Sequence, residues 1–424
     1  MTLATPHDKA HEHGHGEWRR GWPVVLGAAA MFATGPGLYQ NLSSLFVPDL
    51  ERTLGITRGA IATSAALGLL GALAAPAIGR QADRIGVRPV LLASLALVVC
   101  GHLVFALMAG PAWQFQLGIA LLALSAPGLG SLVFGRLIAR RFDQHRGAAL
   151  GLALTISSVS TLLLPPLIGW VIEGYGWRPA YLLLAVLPVL IGLPPALIAI
   201  RSAGERSGAA AHAHGPAHAA DDDEPRPSWR DGNFWRLAVA AMMINAGTVG
   251  MVTQLALIGR ERGLSLASAG LLLSAFGLSQ LLGRLAIGLL VDRFAANLMA
   301  ALFALVSAGG FAVLVSGEGG FALALVAVFA AGLMGGAEHD LLPYFASRMF
   351  PRSHYSEVYG RLLMLSLFGS AVGLIGFARV YDLTASYSGP LVGASVLLLL
   401  AAALFARLPA ARHDAGPAGS SVAA

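Results

Sequence analysis

Long stretches without a charged residue alternate with short charged segments along the whole chain. Runs free of Asp, Glu, Lys and Arg occupy residues 21–48, 59–79, 89–135, 147–172, 179–200, 237–259, 263–283, 294–317, 319–337, 362–378 and 383–406. A helix needs about 20 residues to cross a hydrocarbon layer of about 30 Å. Each run can therefore span once, and the long run at 89–135, interrupted at Gly110-Pro111, can span twice. The pattern predicts twelve transmembrane helices.

The composition supports a membrane protein. Hydrophobic residues make up 56% of the 424 residues and charged residues only 12%, with a mean hydropathy of +0.70, whereas soluble domains carry roughly 25% charged residues. Strands of a membrane β-barrel alternate apolar and polar positions, but segments such as 396–405 are apolar throughout. The expected fold class is an all-α polytopic membrane protein.

The basic residues indicate the orientation. With a cytoplasmic N-terminus, 21 of the 28 Lys and Arg residues fall on the cytoplasmic side, as the positive-inside rule requires. We therefore expect both termini in the cytoplasm and place the protein in a bacterial plasma membrane. This bias toward an anionic lipid surface explains the net charge of +6, so we infer no nucleic-acid partner.

Changes in composition divide the chain into five parts. We expect a disordered cytoplasmic segment (1–20), a six-helix half (21–200), a cytoplasmic linker (201–235), a second six-helix half (236–407) and a cytoplasmic tail (408–424). The first segment and the linker are rich in His, and imidazole binds zinc or nickel, but no Cys or carboxylate arrangement completes a site. We expect neither a metal nor another cofactor, and metal handling stays a minor hypothesis.

The two halves share a short sequence. Three residues of the first half recur 209 positions later in the second half, at Gly79/Gly288, Asp83/Asp292 and Arg84/Arg293. Both copies fall in the loop between the second and third span of their half. Two related helical halves joined by a long inner linker are typical of transporters that work by alternating access.

Residues 79–88, GRQADRIGVR, resemble the G-x-x-x-D-R-x-G-x-R/K signature of the major facilitator superfamily. Within that superfamily the chain is similar to monocarboxylate porters and their oxalate/formate-like relatives, in the segments GPGLYQNLSSLFVPDL, RRFDQHRGAALG, EGYGWRPAY, GRLAIGLLVDR and GAEHDLLPYFASRMF. The resemblance implies a secondary transporter of a small organic anion, for which a monomer suffices. We expect a set of residues to control the opening and closing of the transport pathway, with Asp83 paired to a cation such as Arg136 or Arg140. The set comprises Gly79, Asp83, Arg84, Gly86, Arg88, Arg136, Asp292 and Arg293.

Arg284 is the most informative single residue. It lies eight residues before Asp292, about 12 Å along a helix, where an arginine costs at least about 2.5–3.5 kcal/mol unless it meets water, a partner or a ligand. A guanidinium can hold a carboxylate through two parallel hydrogen bonds, and the resemblance implies a carboxylate-binding Arg at this place. The alternative is a structural ion pair with Glu338 or Asp340.

Glu338 and Asp340 are intramembrane carboxylates eight to ten residues before Arg348. They are two residues apart, so about 200° separates them around a helix. One is expected to face the transport pathway and couple a proton to transport, and the other to pair with a neighbouring helix. The sequence leaves open which residue does which.

Tyr39 and Asn41, next to the helix break Gly35-Pro36-Gly37, and Gln280 are the further candidates for contact with the substrate. Animal members of the resembled group carry a Lys in span one and an Asp one turn before the Arg, where this chain has Asn41 and Gln280. Gln carries no proton at physiological pH. Proton symport is therefore weighed against anion exchange.

Other classes of function remain as alternatives. Efflux of drugs or metabolites and a membrane sensor that binds a ligand without moving it both fit a polytopic chain. The sequence holds no phosphate-binding GxxxxGK[ST] loop and no arrangement of nucleophile and base, so we do not expect an enzyme.

Overall fold

The computed structural model describes residues 6–56, 61, 64–142, 145–204, 231–291, 293–317, 319–350 and 355–409. Helices dominate this part of the chain, which contains no β-strand. In chain order they are α1 (Pro6–Thr34), α2 (Pro36–Leu54), α3 (Leu69–Ile85), α4 (Val87–Leu107), α5 (Ala112–Leu129), α6 (Ser131–Ala139), α7 (Arg146–Tyr175), α8 (Trp177–Leu187), α9 (Leu193–Ala203), α10 (Gly232–Val252), α11 (Leu255–Glu261), α12 (Leu266–Val291), α13 (Ala296–Ser316), α14 (Gly320–Met349), α15 (Tyr355–Thr384) and α16 (Ser388–Ala406).

Ten helical segments of the described residues are long and apolar enough to cross a membrane. They correspond to the third to twelfth predicted spans, and the predicted break at Gly110-Pro111 separates α4 from α5. The first predicted span is divided at Gly35 between α1 and α2, and part of the second lies outside the described residues. The all-α polytopic fold expected from the sequence is confirmed.

The chain outside the spans is described only in part. Helix α1 begins at Pro6, inside the segment 1–20 that the sequence predicts to be disordered, where Ala, Glu and Lys favour helix. Most of the predicted linker, residues 205–230, and the tail from residue 410 lie outside the described residues. The predicted boundaries of the two halves stay a prediction.

Two glycines form sharp turns between consecutive helices of the first half. Gly86 joins α3 to α4 with φ +90°, and Gly176 joins α7 to α8 with φ +92°. L-residues with a side chain rarely adopt such φ values. Each glycine is followed by an x-Arg-Pro sequence that starts the next helix, so the same local sequence makes the same turn twice.

The described helices form two compact units. Unit 1 contains residues 1–215, 252–278 and 381–385, and unit 2 contains residues 216–251, 279–380 and 386–424. Helix α12 contributes its first half to unit 1 and its second half to unit 2, with the boundary after Leu278.

Within unit 1, α7 and the first half of α12 pack closely. Pro165 and Pro166 lie inside α7 without ending it, although proline has no N–H to donate to the carbonyl four residues earlier. The carbonyl oxygen of Leu162, freed by Pro166, accepts a hydrogen bond of 2.6 Å from Ser274 Oγ. Gly270 lies directly against the backbone of the two prolines. A residue of α12 thus satisfies a polar group that the prolines leave unpaired.

Ser44 plays a similar role where α10 gives way to α11. The chain turns at Thr253 and Gln254 between these helices, which interrupts the ladder of backbone hydrogen bonds. Ser44 Oγ, fully buried on α2, donates to the carbonyl of Val252 and accepts from the N–H of Ala256, both at 3.4 Å. The interruption of the seventh predicted span is therefore stabilised from within unit 1.

Candidate functional site

Helices α12 and α14 approach closely inside unit 2 because glycines lie between them. A side chain at Gly283 would collide with the backbone of Leu333, and one at Gly336 with the backbone of Gln280. The side-chain amide of Gln280 donates to the carbonyl of Gly332 over 3.3 Å. This crossing fixes the rotation of both helices, so it determines where the residues of the next turn point.

Arg284 lies one helical turn beyond Gln280, on the same face of α12. Its side chain is 17% exposed, and its Nε atom is 3.8 Å from Asp340 Oδ2. Nε is buried and has no hydrogen-bond partner within the described residues. A buried donor without a partner costs about 1–3 kcal/mol, so this guanidinium has unused capacity to bind an acceptor.

His339 and Asp340 follow the same crossing on α14. His339 lies one turn beyond Gly335, whose Cα faces the side-chain amide of Gln280, and it is exposed. The side chain of Asp340 is 45% exposed. Arg284 is the charged neighbour of both residues. The three side chains form a partly open polar group, which we call the Arg284 group.

Glu338 points away from this group. It is 3% exposed, and both of its carboxyl oxygens lie 2.6 Å from the side-chain nitrogen of Asn245 on α10. Ser366 on α15 donates to Glu338 Oε1 over 3.0 Å. Ser370, one turn later on α15, donates to the side-chain oxygen Oδ1 of Asn245 over 3.1 Å. We call Glu338, Asn245, Ser366 and Ser370 the Glu338 cluster; its hydrogen-bond partners are all neutral.

The two carboxylates of α14 therefore occupy different environments, as their separation around the helix predicts. Asp340 faces Arg284, and Glu338 binds to neighbouring helices α10 and α15. The sequence left this assignment open. Gln280 lies with Arg284 on one face of α12, as expected from their spacing, and its amide is engaged by Gly332.

Tyr39 and Asn41 belong to unit 1. Tyr39 is 7% exposed; its hydroxyl lies 3.3 Å from that of Tyr181, and its ring stacks on Phe105 with centroids 5.1 Å apart. Asn41 is half-buried on α2. The surroundings of Tyr39 are those of a packed aromatic core, and its expected contact with a substrate stays a prediction.

Among the residues predicted to control opening, Arg136 and Asp83 are in contact. Arg136 Nη1 donates to Asp83 Oδ1 over 2.8 Å and to the carbonyl of Gly79 over 2.9 Å, which is the pairing expected for Asp83. The other described members of the set are exposed, namely Arg84, Gly86, Arg88 and Arg293, and Asp292 lies outside the described residues. Their role in opening stays a prediction.

Three residues of the Glu338 cluster carried little signal in the sequence. Asn245 is one of two amides in the charge-free run 237–259, the other being Gln254, and Ser366 and Ser370 are ordinary small residues of a membrane helix. Their i, i+4 spacing places both serines on one face, and only this spacing distinguishes them. No group of three or more His, Cys, Asp or Glu residues that could hold a metal ion occurs among the described residues.

Comparisons with known proteins agree on one family. The model of the Major Facilitator Superfamily matches residues 25–373 and 237–422. Mouse Monocarboxylate transporter 11 is 36% identical over 176 residues, which are 40% of this chain and 37% of that protein's length. Bovine Monocarboxylate transporter 13 is 26% identical over 403 residues, 93% of this chain and 90% of the relative.

A solved structure has the same fold. The crystal structure of a D-xylose-proton symporter superposes with a TM-score of 0.68 at 14% identity, covering 92% of this chain and 98% of the symporter. At this identity the likeness concerns the fold alone.

Proposed function

The chain belongs to the major facilitator superfamily, and we propose that it carries a small organic anion, a monocarboxylate, across the membrane by alternating access. The observation that carries the proposal is Arg284, a cation inside a membrane span whose Nε has no hydrogen-bond partner within the described residues. The relatives named monocarboxylate transporters support the choice of substrate class.

The geometry of the Arg284 group suits reversible binding. At 3.8 Å the contact with Asp340 is longer than a charge-assisted hydrogen bond of about 2.7–2.9 Å. A substrate carboxylate that forms two hydrogen bonds with the guanidinium can therefore displace Asp340 as its counter-charge. Asp340 then compensates Arg284 when the site is empty, which lowers the cost of an unpaired cation within the membrane.

We assign proton coupling to the two carboxylates of α14, Glu338 and Asp340, which have different roles in it. Glu338 is the titratable group of its cluster. Ser366 donates to its carboxyl and Ser370 donates to the side chain of Asn245, and both hydroxyls can reverse their hydrogen bonds. The cluster can thus accommodate either the carboxylate or the acid. Asp340 acts on the substrate side, since it competes with the anion for Arg284. Proton symport is our preferred mechanism.

Anion exchange is the second candidate for the mechanism. Gln280 occupies the position one turn before Arg284, and its amide donates to Gly332 but cannot carry a proton. If Glu338 holds the same protonation state throughout the cycle, the anion must be exchanged for another anion.

Opening and closing of the pathway requires contacts that form in one state and break in another. We propose this role for Gly79, Asp83 and Arg84 at the end of α3, Gly86 at the turn and Arg88 at the start of α4, together with Arg136 and with Asp292 and Arg293 of the second half. The bonds from Arg136 to Asp83 and Gly79 support it, because they join α6 to the end of α3.

Uptake into proteoliposomes tests the proposal. Labelled lactate, pyruvate, formate, oxalate and a neutral control are supplied with and without an inward proton gradient, to wild-type protein and to Arg284→Gln. We expect uptake of monocarboxylates but not of the neutral compound, stimulation by the gradient, and loss of uptake in the variant. Uptake that is indifferent to Arg284, or transport of the neutral compound alone, would favour efflux of other metabolites; saturable binding without any counterflow would favour a sensor.

A further inference from the structure

The side-chain nitrogen of Asn245 lies among more oxygen atoms than an amide can serve. Its Nδ2 atom is 2.6 Å from both carboxyl oxygens of Glu338 and from Oγ of Ser366, and 3.2 Å from the backbone carbonyl oxygen of Ala241. An amide nitrogen carries only two hydrogens, so it cannot donate to all of these oxygens at once. The centre of the Glu338 cluster therefore has a surplus of acceptors around one point.

The carboxylate of Glu338 is also surrounded by neutral groups. Within the described residues it is hydrogen-bonded to Asn245 and Ser366, and a buried carboxylate without a counter-charge is costly. Glu338 lies ten residues before Arg348, about 15 Å along a helix and thus near the middle of a hydrocarbon layer of about 30 Å. Secondary transporters bind their coupling ions at this depth. A cation bound here would balance the carboxylate and satisfy the surplus oxygens.

The charge and the spacing of the oxygens indicate which cation fits. Hard cations prefer oxygen ligands. One carboxylate among neutral groups is balanced by a monovalent ion, whereas a divalent ion would leave a positive charge within the membrane. Three oxygens lie 2.6 Å from one point, within the range of about 2.3–2.6 Å that oxygen ligands take around Ca²⁺. Na⁺ has nearly the ionic radius of Ca²⁺, and K⁺ is larger.

We propose that Na⁺ can replace the proton as the coupling ion at the Glu338 cluster. The ion is bound by the carboxylate of Glu338 and by the hydroxyl oxygens of Ser366 and Ser370. The inference rests on the proposed function and deepens it, since it names a second ion that the coupling residue can take.

Asn245 supplies a further oxygen when its amide turns. Oδ1 then faces the ion, and Nδ2 faces Ser370. The hydroxyl of Ser370 now donates to Oδ1 and can accept from Nδ2 after the turn. Asn245 and Ser370 are half-buried, whereas Glu338 and Ser366 are buried, so the cluster is least covered on the side where this rearrangement takes place.

Uptake of labelled lactate under a sodium gradient tests the inference. Proteoliposomes at equal pH on both sides receive an inward gradient of Na⁺ or of K⁺, with wild type, Ser366→Ala, Ser370→Ala and Ser395→Ala. The first two variants remove a ligand oxygen but keep the titratable Glu338. Ser395→Ala is the matched control, because Ser395 on α16 donates to the carbonyl oxygen of Ala308 on α13, away from the Glu338 cluster.

We expect Na⁺ but not K⁺ to stimulate uptake in wild type and in Ser395→Ala. In Ser366→Ala and Ser370→Ala the Na⁺ concentration for half-maximal stimulation should rise at least about tenfold, equivalent to about 1.4 kcal/mol. Uptake driven by a proton gradient should be retained in both variants, because a proton on Glu338 needs no shell of oxygen ligands. A merely structural role of the serines would weaken uptake under both gradients together, which would overturn the inference.

The remaining outcomes separate the inference from the proposed function. Monocarboxylate uptake without stimulation by Na⁺, equal stimulation by K⁺, or an unchanged Na⁺ dependence in both serine variants would overturn the inference and leave monocarboxylate transport in place. Equilibrium dialysis of radioactive Na⁺ against the protein in detergent measures the site without transport. We expect saturable binding in wild type and Ser395→Ala that is weaker in Ser366→Ala. If wild type moves no monocarboxylate, the proposed function fails, and absence of binding in the dialysis would overturn the sodium site as well.

Discussion

The guanidinium of Arg284 and the carboxylate of Asp340 lie 3.8 Å apart, with no hydrogen bond between them. The two residues stand on different helices, α12 and α14, just beyond a crossing in which glycines bring the backbones together. At this distance Asp340 balances the charge of Arg284 within the membrane, while the guanidinium of Arg284 keeps its capacity to donate hydrogen bonds. The proposed transport site follows from this relationship.

The competition between Asp340 and the substrate can be measured directly. Asp340→Asn removes the counter-charge of Arg284, so we expect tighter binding of the anion, with KM for lactate about three- to tenfold lower, equivalent to about 0.7–1.4 kcal/mol. Asp49→Asn is the matched control, because Asp49 forms an ion pair with Arg52 in unit 1. An unchanged or higher KM in Asp340→Asn would mean that Asp340 does not compete with the anion.

Glu338→Gln removes the titratable carboxyl group of the cluster while it keeps a side chain that can form hydrogen bonds. Gln retains an acceptor for Ser366 but cannot titrate, so we expect a folded protein that exchanges anions but no longer accumulates them in response to a proton gradient. Uptake and counterflow measured side by side test this. Gradient-driven accumulation at the wild-type level in Glu338→Gln would remove Glu338 from the coupling mechanism.

Removal of the Glu338 side chain should instead affect stability. Glu338→Ala removes the carboxyl partner of the half-buried Asn245 amide and of the buried Ser366 hydroxyl, and a hydrogen bond contributes about 0.5–1.5 kcal/mol to stability. Thermal unfolding in detergent should show a lower midpoint for Glu338→Ala than for Glu338→Gln. Equal midpoints would contradict the hydrogen-bonded cluster.

The close packing of α7 on α12 predicts different effects at two glycines of one helix. A Cβ at Gly270 would lie 2.7 Å from the carbonyl oxygen of Pro165, whereas a Cβ at Gly288 meets nothing within 4 Å. Overpacking costs about 1–3 kcal/mol, so Gly270→Ala should lower the unfolding midpoint. Gly288→Ala should leave it unchanged or raise it, since Ala favours helix by up to about 1 kcal/mol. A reversed order would contradict the packing.

The contact of Arg136 with Asp83 is expected to affect the rate rather than the affinity. Asp83→Asn removes the charge from a pair that is partly exposed to solvent, and such pairs contribute about 0–1 kcal/mol to stability. We expect a slower maximal rate of counterflow with an unchanged KM for lactate and an unchanged unfolding midpoint. A change of KM with an unchanged rate would argue against a role in opening.

Most of the fold could be predicted from the sequence because the bilayer sets the length of each apolar run. Charge-free stretches and the Gly110-Pro111 break predict where α4 and the later spans lie, although α14 and α15 extend well beyond the runs 319–337 and 362–378. The sequence singles out Arg284 as a candidate for the same reason, since a cation in an apolar run is costly, and its role stays a proposal. These inferences use only the one-dimensional pattern of charge.

The remaining features depend on packing between distant segments. Whether Glu338 or Asp340 faces Arg284 is decided by the rotation of α14, which Gly336 and Gln280 set through their contact. Tyr39 looks like a pathway residue beside a helix break, yet its ring packs with Tyr181, 142 positions later in the chain. The recruitment of Ser366 and Asn245 by Glu338 is likewise a tertiary contact that no local pattern specifies.

Counterflow of labelled lactate tests the central claim most directly, because it needs no gradient and is independent of the coupling mechanism. Wild type, Arg284→Gln and Arg407→Gln are compared in proteoliposomes preloaded with unlabelled lactate. Arg407 is exposed just beyond the end of α16 and controls for the loss of one positive charge. We predict counterflow in wild type and Arg407→Gln and at least a tenfold loss in folded Arg284→Gln. Counterflow at the wild-type rate in Arg284→Gln would contradict the assignment of the anion site.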